Sequence, residues 1–455
     1  METSTKYLGR YLSDVFLIEF PSSTRIFNKG VKQRELTSQE YGTFLHEYWH
    51  YLINISTFAR IKDFTLFYHI VSIFSKTLTE NADGTSVGLD YNSEDRKVLA
   101  EILELRLAYQ GGFYEKINTS YVYDFHLTGE VIISDYNLTL YNRLTPVKKV
   151  SIPIKAITEN GEKNGYFILG NHAIEESIVN AIERTVYDDG KSPLVNPYLV
   201  LTRIFEYYSV GIKFEREEIA ILGTLSLLTS DPAVSVVRLI KDFCSYRQRI
   251  GTKEALIAVT NEINPIIEQI SPFIYAQVES LQGIYKDREP LCFAINYITQ
   301  KILYCFELRR KDLLFDLTPI LTRDKKLLED LIFNKVKPCD ILQRFRGCGN
   351  KIGKDLLKSF ELEKIIYGGK EWNISFFLQL FYCQLDYVQA HGMVGIFPSD
   401  KVKSKCPYYS VCSLDFRKSN PTICKTKPWK QFNKNTESCM YGTAVSNLIG
   451  LVKSK

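Results

Sequence analysis

Apolar positions along the chain alternate between helical spacing and the two-residue period of strands, and the order of these stretches predicts the architecture. Val15 to Phe20 (VFLIEF) reads as a short strand closed by a Pro-Ser-Ser turn. Thr37 followed by Glu40 has the form of a capping box, and the aromatic-rich run after it predicts a helix to about Ile55. Helical spacing returns over Asp63–Ser75 and Glu94–Ala108. Between about Gly111 and Leu169 the period drops to two. Tyr121-Val122-Tyr123, Val131-Ile132-Ile133, Leu138–Tyr141 and Val150–Ile154 are β-branched or aromatic, and Asn160-Gly161 and Asn164-Gly165 supply turn chemistry. A meander of three to five strands is expected there. From Asn171 to about Ala390 the pattern is again mostly helical, with Pro193, Pro197, Pro232, Pro265, Pro272 and Pro290 expected to interrupt it.

The expected fold class is therefore α+β and predominantly α-helical, with a small antiparallel β meander inserted among the helices. Three units are expected: residues 1–190, a helical segment 191–399, and a tail 400–455 poor in aliphatic residues. At 455 residues and 45% hydrophobic, the chain can bury a sizeable core, which excludes global disorder. The N-terminus has no secretory pattern, and the longest strongly apolar run, Ile219–Leu228, is about half the ~20 residues a membrane span needs. A soluble, cytoplasmic protein without a membrane partner is expected. Ten cysteines in that setting read as free thiols or metal ligands in place of disulfides. The net charge of +5 is concentrated in the tail, where Lys401 to Cys439 carries nine basic and two acidic residues.

The segment FLHEYWHYL holds the pattern H-E-x-x-H as His46-Glu47-Tyr48-Trp49-His50, in a chain with only six His. On a helix, residues four apart project from one face, so both imidazoles can reach one ion. Glu47 sits where its carboxylate can reach a water at the open metal position. Two His plus a carboxylate is a catalytic zinc donor set, with Glu47 expected as general base in metal-assisted peptide hydrolysis. The alternative is a pair of histidines bonded only to backbone on an amphipathic helix. His69 and His126 have no such context and read as structural.

A third ligand is expected from His172 to Glu183, an otherwise apolar helical stretch offering Glu175, Glu176 and Glu183. Ile174-Glu175-Glu176-Ser177-Ile178-Val179 resembles the x-E-G-x-A helix of the gluzincin group of zinc metallopeptidases, with Ser177 for the Gly and Val179 for the Ala. That resemblance, together with the H-E-x-x-H helix, implies a zincin-like core, a peptide or protein substrate and Glu176 as the third zinc ligand. Glu175 is an alternative, because it lies nearer the Ile174/Ile178/Ile182 stripe. His172 and Glu183 lie on the same face as Glu176 and suit a supporting shell; all three Glu could also be plain solvated charges. Peptidases of this kind add a His or Tyr oxyanion donor, for which His391, His172 and Tyr187 are candidates.

Cys406, Cys412, Cys424 and Cys439 are separated by five, eleven and fourteen residues. A segment so poor in aliphatics needs a cross-link to stay folded, so a second, structural zinc, or an iron–sulfur cluster, is expected on these four. Cys339 or Cys348 could replace one of them, and four unligated thiols is the other reading. Cys244, Cys292, Cys305 and Cys383 lie in apolar runs and read as core fillers. The tail interleaves Lys with Tyr408, Tyr409, Trp429 and Phe432, a composition that suits nucleic acid. The alternative to an enzyme is thus a non-catalytic, metal-stabilised binding or scaffold protein, contacting nucleic acid through this tail.

Overall fold

The computed structural model describes residues 10–13, 16–21, 38–77, 79–80, 86–87, 94–119, 121–140, 143–187, 193–209, 211, 213–286, 291–345, 348–351, 364–367, 369–390, 415–426, 439, 441–442 and 444. Two short strands, β1 (Arg10–Leu12) and β2 (Leu17–Pro21), pair antiparallel. Helix α1 spans Ser38–Ser56; Thr37, half of the expected capping box, lies outside the described residues. Phe44, Leu45, Tyr48, Trp49, Tyr51, Leu52, Ile53 and Ile55 are all buried. A helix apolar on nearly every side is an interior helix, so its polar residues need partners inside the fold. Helix α2 (Phe58–Thr77) follows after Thr57, whose amide donates to the Ile53 carbonyl while its own carbonyl accepts from Ile61. Helix α3 (Glu94–Gln110) packs on α2.

The meander consists of β3 (Phe113–Glu115), β4 (Val122–Leu127), β5 (Ile132–Leu140), β6 (Arg143–Thr158) and β7 (Gly161–Leu169), all antiparallel, in the order β3-β7-β6-β4. β5 pairs along the first half of β6. Val150, Ile152, Ile154, Ala156 and Thr158 bury one face of β6, the alternation that its sequence announces. The β6–β7 hairpin turns over Glu159-Asn160, with Gly161 at φ +90. Asn164-Gly165 is not a turn. It lies within β7, where Gly165 admits a close approach: a Cβ there would sit 2.4 Å from Ile117 Cγ1 and 2.7 Å from the Glu115 carbonyl.

Strand β7 runs through Gly170 straight into helix α4 (Asn171–Val186). A Cβ on Gly170 would lie 2.5 Å from the Gln110 backbone, so only glycine lets α4 start this close to the end of α3. Helices α5 (Val200–Ser209), α6 (Arg216–Leu227), α7 (Pro232–Ile250), α8 (Thr252–Tyr285) and α9 (Leu291–Lys311) follow. Pro232 opens α7 as expected, but Pro265 and Pro272 lie inside α8. The stripe Ala255, Val259, Ile263, Ile267, Ile270, Ile274, Val278, Leu281 and Tyr285 is buried along its whole length, and that burial outweighs the cost of two prolines.

The expected helical run to Ala390 also contains strands. β8 (Asp340–Phe345) pairs parallel with β2 and antiparallel with β9 (Cys348–Lys351), and β10 (Lys364–Tyr367) forms a hairpin with β11 (Lys370–Asn373) before helix α10 (Ile374–Ala390). One hydrophobic core extends from Phe16 to Ala444, with α1 packed against both α4 and α9. The fold is α+β and mostly helical. Among the described residues no helix is long and apolar enough to cross a membrane.

Candidate metal centre

Helix α1 presents His46 and His50 one turn apart toward α4, which faces them with Glu175, Glu176 and Glu183. The helices close on each other at Gly42, where a Cβ would meet Tyr187 Cβ at 3.0 Å. The three carboxylates take three different places. Glu183 Oε2 lies 2.9 Å from His46 Nδ1, and Glu175 Oε1 lies 2.8 Å from His50 Nδ1. Glu176 reaches between the rings, its Oε2 3.6 Å from His46 Nε2 and 3.5 Å from His50 Nε2.

These partners assign the tautomers. Each Nδ1 donates to a carboxylate, which turns both Nε2 atoms, 3.2 Å apart, toward each other and toward Glu176. Glu176 Oε2 is buried and accepts no hydrogen bond from protein. Two Nε2 atoms and a buried carboxylate oxygen this close together need either protons or a metal cation among them. The three edges, 3.2, 3.5 and 3.6 Å, also match the ligand–ligand spacing of tetrahedral zinc, about 3.4 Å for bonds near 2.1 Å. The donor set therefore fits a metal ion. Among the described residues this is the one group of His, Cys, Asp and Glu whose ligand atoms converge in this way.

Around the donors the structure supplies a buried support. Asn54 donates to Glu175 Oε1 at 2.8 Å, and Arg60 Nε lies 3.0 Å from Glu175 Oε2. Burial would raise the Glu175 carboxyl, but Arg60 and His50 outweigh it and hold it below the usual range. Burial likewise disfavours a charged His46, yet the carboxylates of Glu176 and Glu183 push it up to about 9, and against the same burial Glu176 and Glu175 raise His50. In the absence of a metal, the site thus holds protons where a cation would bind. Glu47 is buried beside the cluster, and burial raises its carboxyl above the ordinary value.

Two aromatic residues complete the site that the sequence did not single out. The Tyr198 ring lies edge-on to His46 with centroids 6.2 Å apart, in the turn Val195–Leu199 that follows α4. Burial, with Glu176, Glu47 and Glu183 nearby, pushes its phenol up to about 12, so it stays protonated as a donor. Tyr11 of β1 lies parallel to the His50 ring, 6.2 Å between centroids. The only local signal for Tyr198 is the turn dipeptide Asn196-Pro197 ahead of it, which marks a bend and no chemistry. On the far side of α1, the Tyr48 hydroxyl donates to the Val336 carbonyl at 2.7 Å and Tyr51 to that of Lys337 at 2.9 Å.

Of the expected oxyanion donors, His172 stands at the exposed rim, its Nδ1 3.9 Å from Glu176 Oε1. Tyr187 packs at the end of α4 against Gly42, and His391 lies outside the described residues. His69 and His126 lie outside the converging group. Cys244, Cys292, Cys305 and Cys383 are buried core residues as expected, and Cys339 joins them with its sulfur 3.5 Å from the Tyr51 hydroxyl. Of the tail set, Cys424 is buried and Cys439 Sγ accepts the Gly442 amide at 3.3 Å. Cys406, Cys412 and the side chain of Cys348 lie outside the described residues. Comparison with family models, with curated proteins and with solved structures finds no match for this chain.

Proposed function

We propose that this chain is a cytoplasmic zinc-dependent metallopeptidase with His46, His50 and Glu176 as metal ligands and Glu47 as general base. The single observation that carries the reading is the convergence of both Nε2 atoms and Glu176 Oε2 within 3.6 Å of one another, each imidazole being oriented from behind by its own carboxylate. The zincin-like core is then α1 and α4 with the meander between them in sequence. Zinc, when bound, supplies Lewis-acid polarisation of the scissile carbonyl and lowers the pKa of a water.

The chain's own residues do the remaining work. Glu175 and Glu183 fix the N–H of each ring on Nδ1, so that Nε2 is the nitrogen turned to the metal. Glu47, its carboxyl raised by burial, takes a proton from the attacking water and returns it to the leaving amine. Tyr198, in place of His172, Tyr187 or His391, is the group that donates a hydrogen bond to the developing oxyanion, because it is the tyrosine beside His46 and is held protonated. In the tail, Cys406, Cys412, Cys424 and Cys439 are proposed to hold a second, structural zinc.

Metal content and peptide hydrolysis measured together test both sites. Glu47→Gln should retain zinc and lose about 10²–10⁴-fold in kcat. His46→Ala should lose one zinc per chain along with activity, and Cys412→Ser should lose a different one. Full activity in Glu47→Gln would leave the metal a structural part of a binding protein.

A further inference from the structure

Behind Glu175 the buried charges continue away from the metal centre in alternating sign. Arg60 Nε contacts Glu175 Oε2 at 3.0 Å and donates to Asn54 Oδ1 at 3.2 Å. The same guanidinium has Asp63 on its other side, NH1 to Oδ2 at 3.7 Å. Asp63 turns both its oxygens to Arg106 of α3, at 2.7 and 3.1 Å, and Arg106 lies over the Phe67 ring. His50, Glu175, Arg60, Asp63 and Arg106 thus form one row through four helices. Glu175, Arg60 and Asp63 are 4%, 8% and 7% exposed, so each charge depends on its neighbours and not on water.

The distances show how the row is shared out. Asp63 is occupied by Arg106, and this leaves the short contact of Arg60 to Glu175. Resting on the reading of His46, His50 and Glu176 as a metal centre, we propose that Arg106 and Asp63 are positioning residues for it. Arg106 keeps Asp63 from drawing Arg60 away, Arg60 thereby stays on Glu175, and Glu175 holds the His50 ring with Nε2 toward the metal. Without Arg106, the carboxylate of Asp63 faces the interior with Arg60, one turn away on α2, as the other cation acting on it. The guanidinium then moves from Glu175 to Asp63, and His50 loses its anchor.

A brace and a positioning row predict opposite results for the double variant. Zinc affinity of the full chain, read by competition with a chromophoric chelator, should fall about 10–100-fold in Arg106→Met, the range seen when support of a ligating His is lost. Asp63→Asn, which removes the competitor, should stay within about threefold of wild type. Asp63→Asn/Arg106→Met should recover to the same level, although it has lost both members of the pair. If the pair is only a structural brace, the double variant binds no better than Arg106→Met, and the proposal falls. Should Arg106→Met not fold, Asp63→Asn decides alone: a tenfold loss of affinity there also overturns it. A wild-type chain that takes up no zinc sinks the metal centre and this inference with it, whereas zinc lost on His46→Ala but unmoved by Arg106→Met sinks the inference alone.

Discussion

Tyr198 is the residue on which the proposed chemistry depends beyond the H-E-x-x-H pattern. Its phenol is pushed up to about 12 by burial and nearby carboxylates, so at neutral pH it keeps its proton and can donate it to a hydrogen bond. Tyr198→Phe should lower kcat about 10²–10³-fold while leaving KM and zinc content near wild type. A raised KM with unchanged kcat would make Tyr198 a substrate-binding residue and return the oxyanion to another group. His46, Glu47 and His50 were legible in the sequence because their geometry is local: a helix alone places the two rings on one face. Glu176 as ligand and Glu183 as support were expected only through the gluzincin resemblance, and the place of Glu175 behind His50 was not expected. This division of labour depends on how α4 is rotated against α1, which Ile174, Ile178 and Ile182 decide by burying in the core. Tyr11, Tyr198 and Arg60 had no local signal, since each reaches the site from a separate element.

Packing between elements keeps α4 where Glu176 can reach the imidazoles. Gly223 of α6 is the contact behind it: a Cβ there would lie 2.5 Å from Ile178 Cγ1 and 3.3 Å from Leu201 Cδ1. Gly223→Val should therefore destabilise the chain by about 1–3 kcal/mol and weaken zinc binding by pushing α4 toward α1. Gly283 in α8 has nothing within 4 Å of an added Cβ, so Gly283→Ala should be neutral or stabilise by up to about 1 kcal/mol, without touching zinc affinity. Urea midpoints and zinc titration on both variants check this; equal effects would mean that Gly223 does not set the α4 position. The elements legible in advance were those with a long internal period, α1 to α4 and the meander. The strands β8 and β9 were missed because β8 pairs with β2 across more than three hundred residues of chain, a partner no local pattern announces. The prolines of α8 misled for the converse reason: the long buried stripe, not local propensity, holds that helix together.

For the molecule as a whole, the proposed metal centre should couple metal content to the pH dependence of stability. His46 rises from an ordinary 6.5 to about 9 in the folded, metal-free chain. A group raised on folding stabilises fully below its unfolded value, and that contribution is lost as pH climbs through the folded one. The metal-free protein should thus lose up to about 3 kcal/mol between pH 6.5 and 9. The zinc-loaded protein should show the opposite trend, because zinc displaces protons from the imidazoles and binds better as pH rises. Urea denaturation of both forms across this range measures the divergence, and parallel profiles would show that zinc and protons do not share these nitrogens.

The rear support of α1 carries a consequence for biosynthesis. The carbonyls that receive the Tyr48 and Tyr51 hydroxyls belong to Val336 and Lys337, each close to three hundred residues downstream. A nascent chain emerging from the ribosome therefore displays its histidine pair long before the wall that steadies it has been translated. The rear wall of the proposed centre is therefore complete only once residues 336 and 337 have been made.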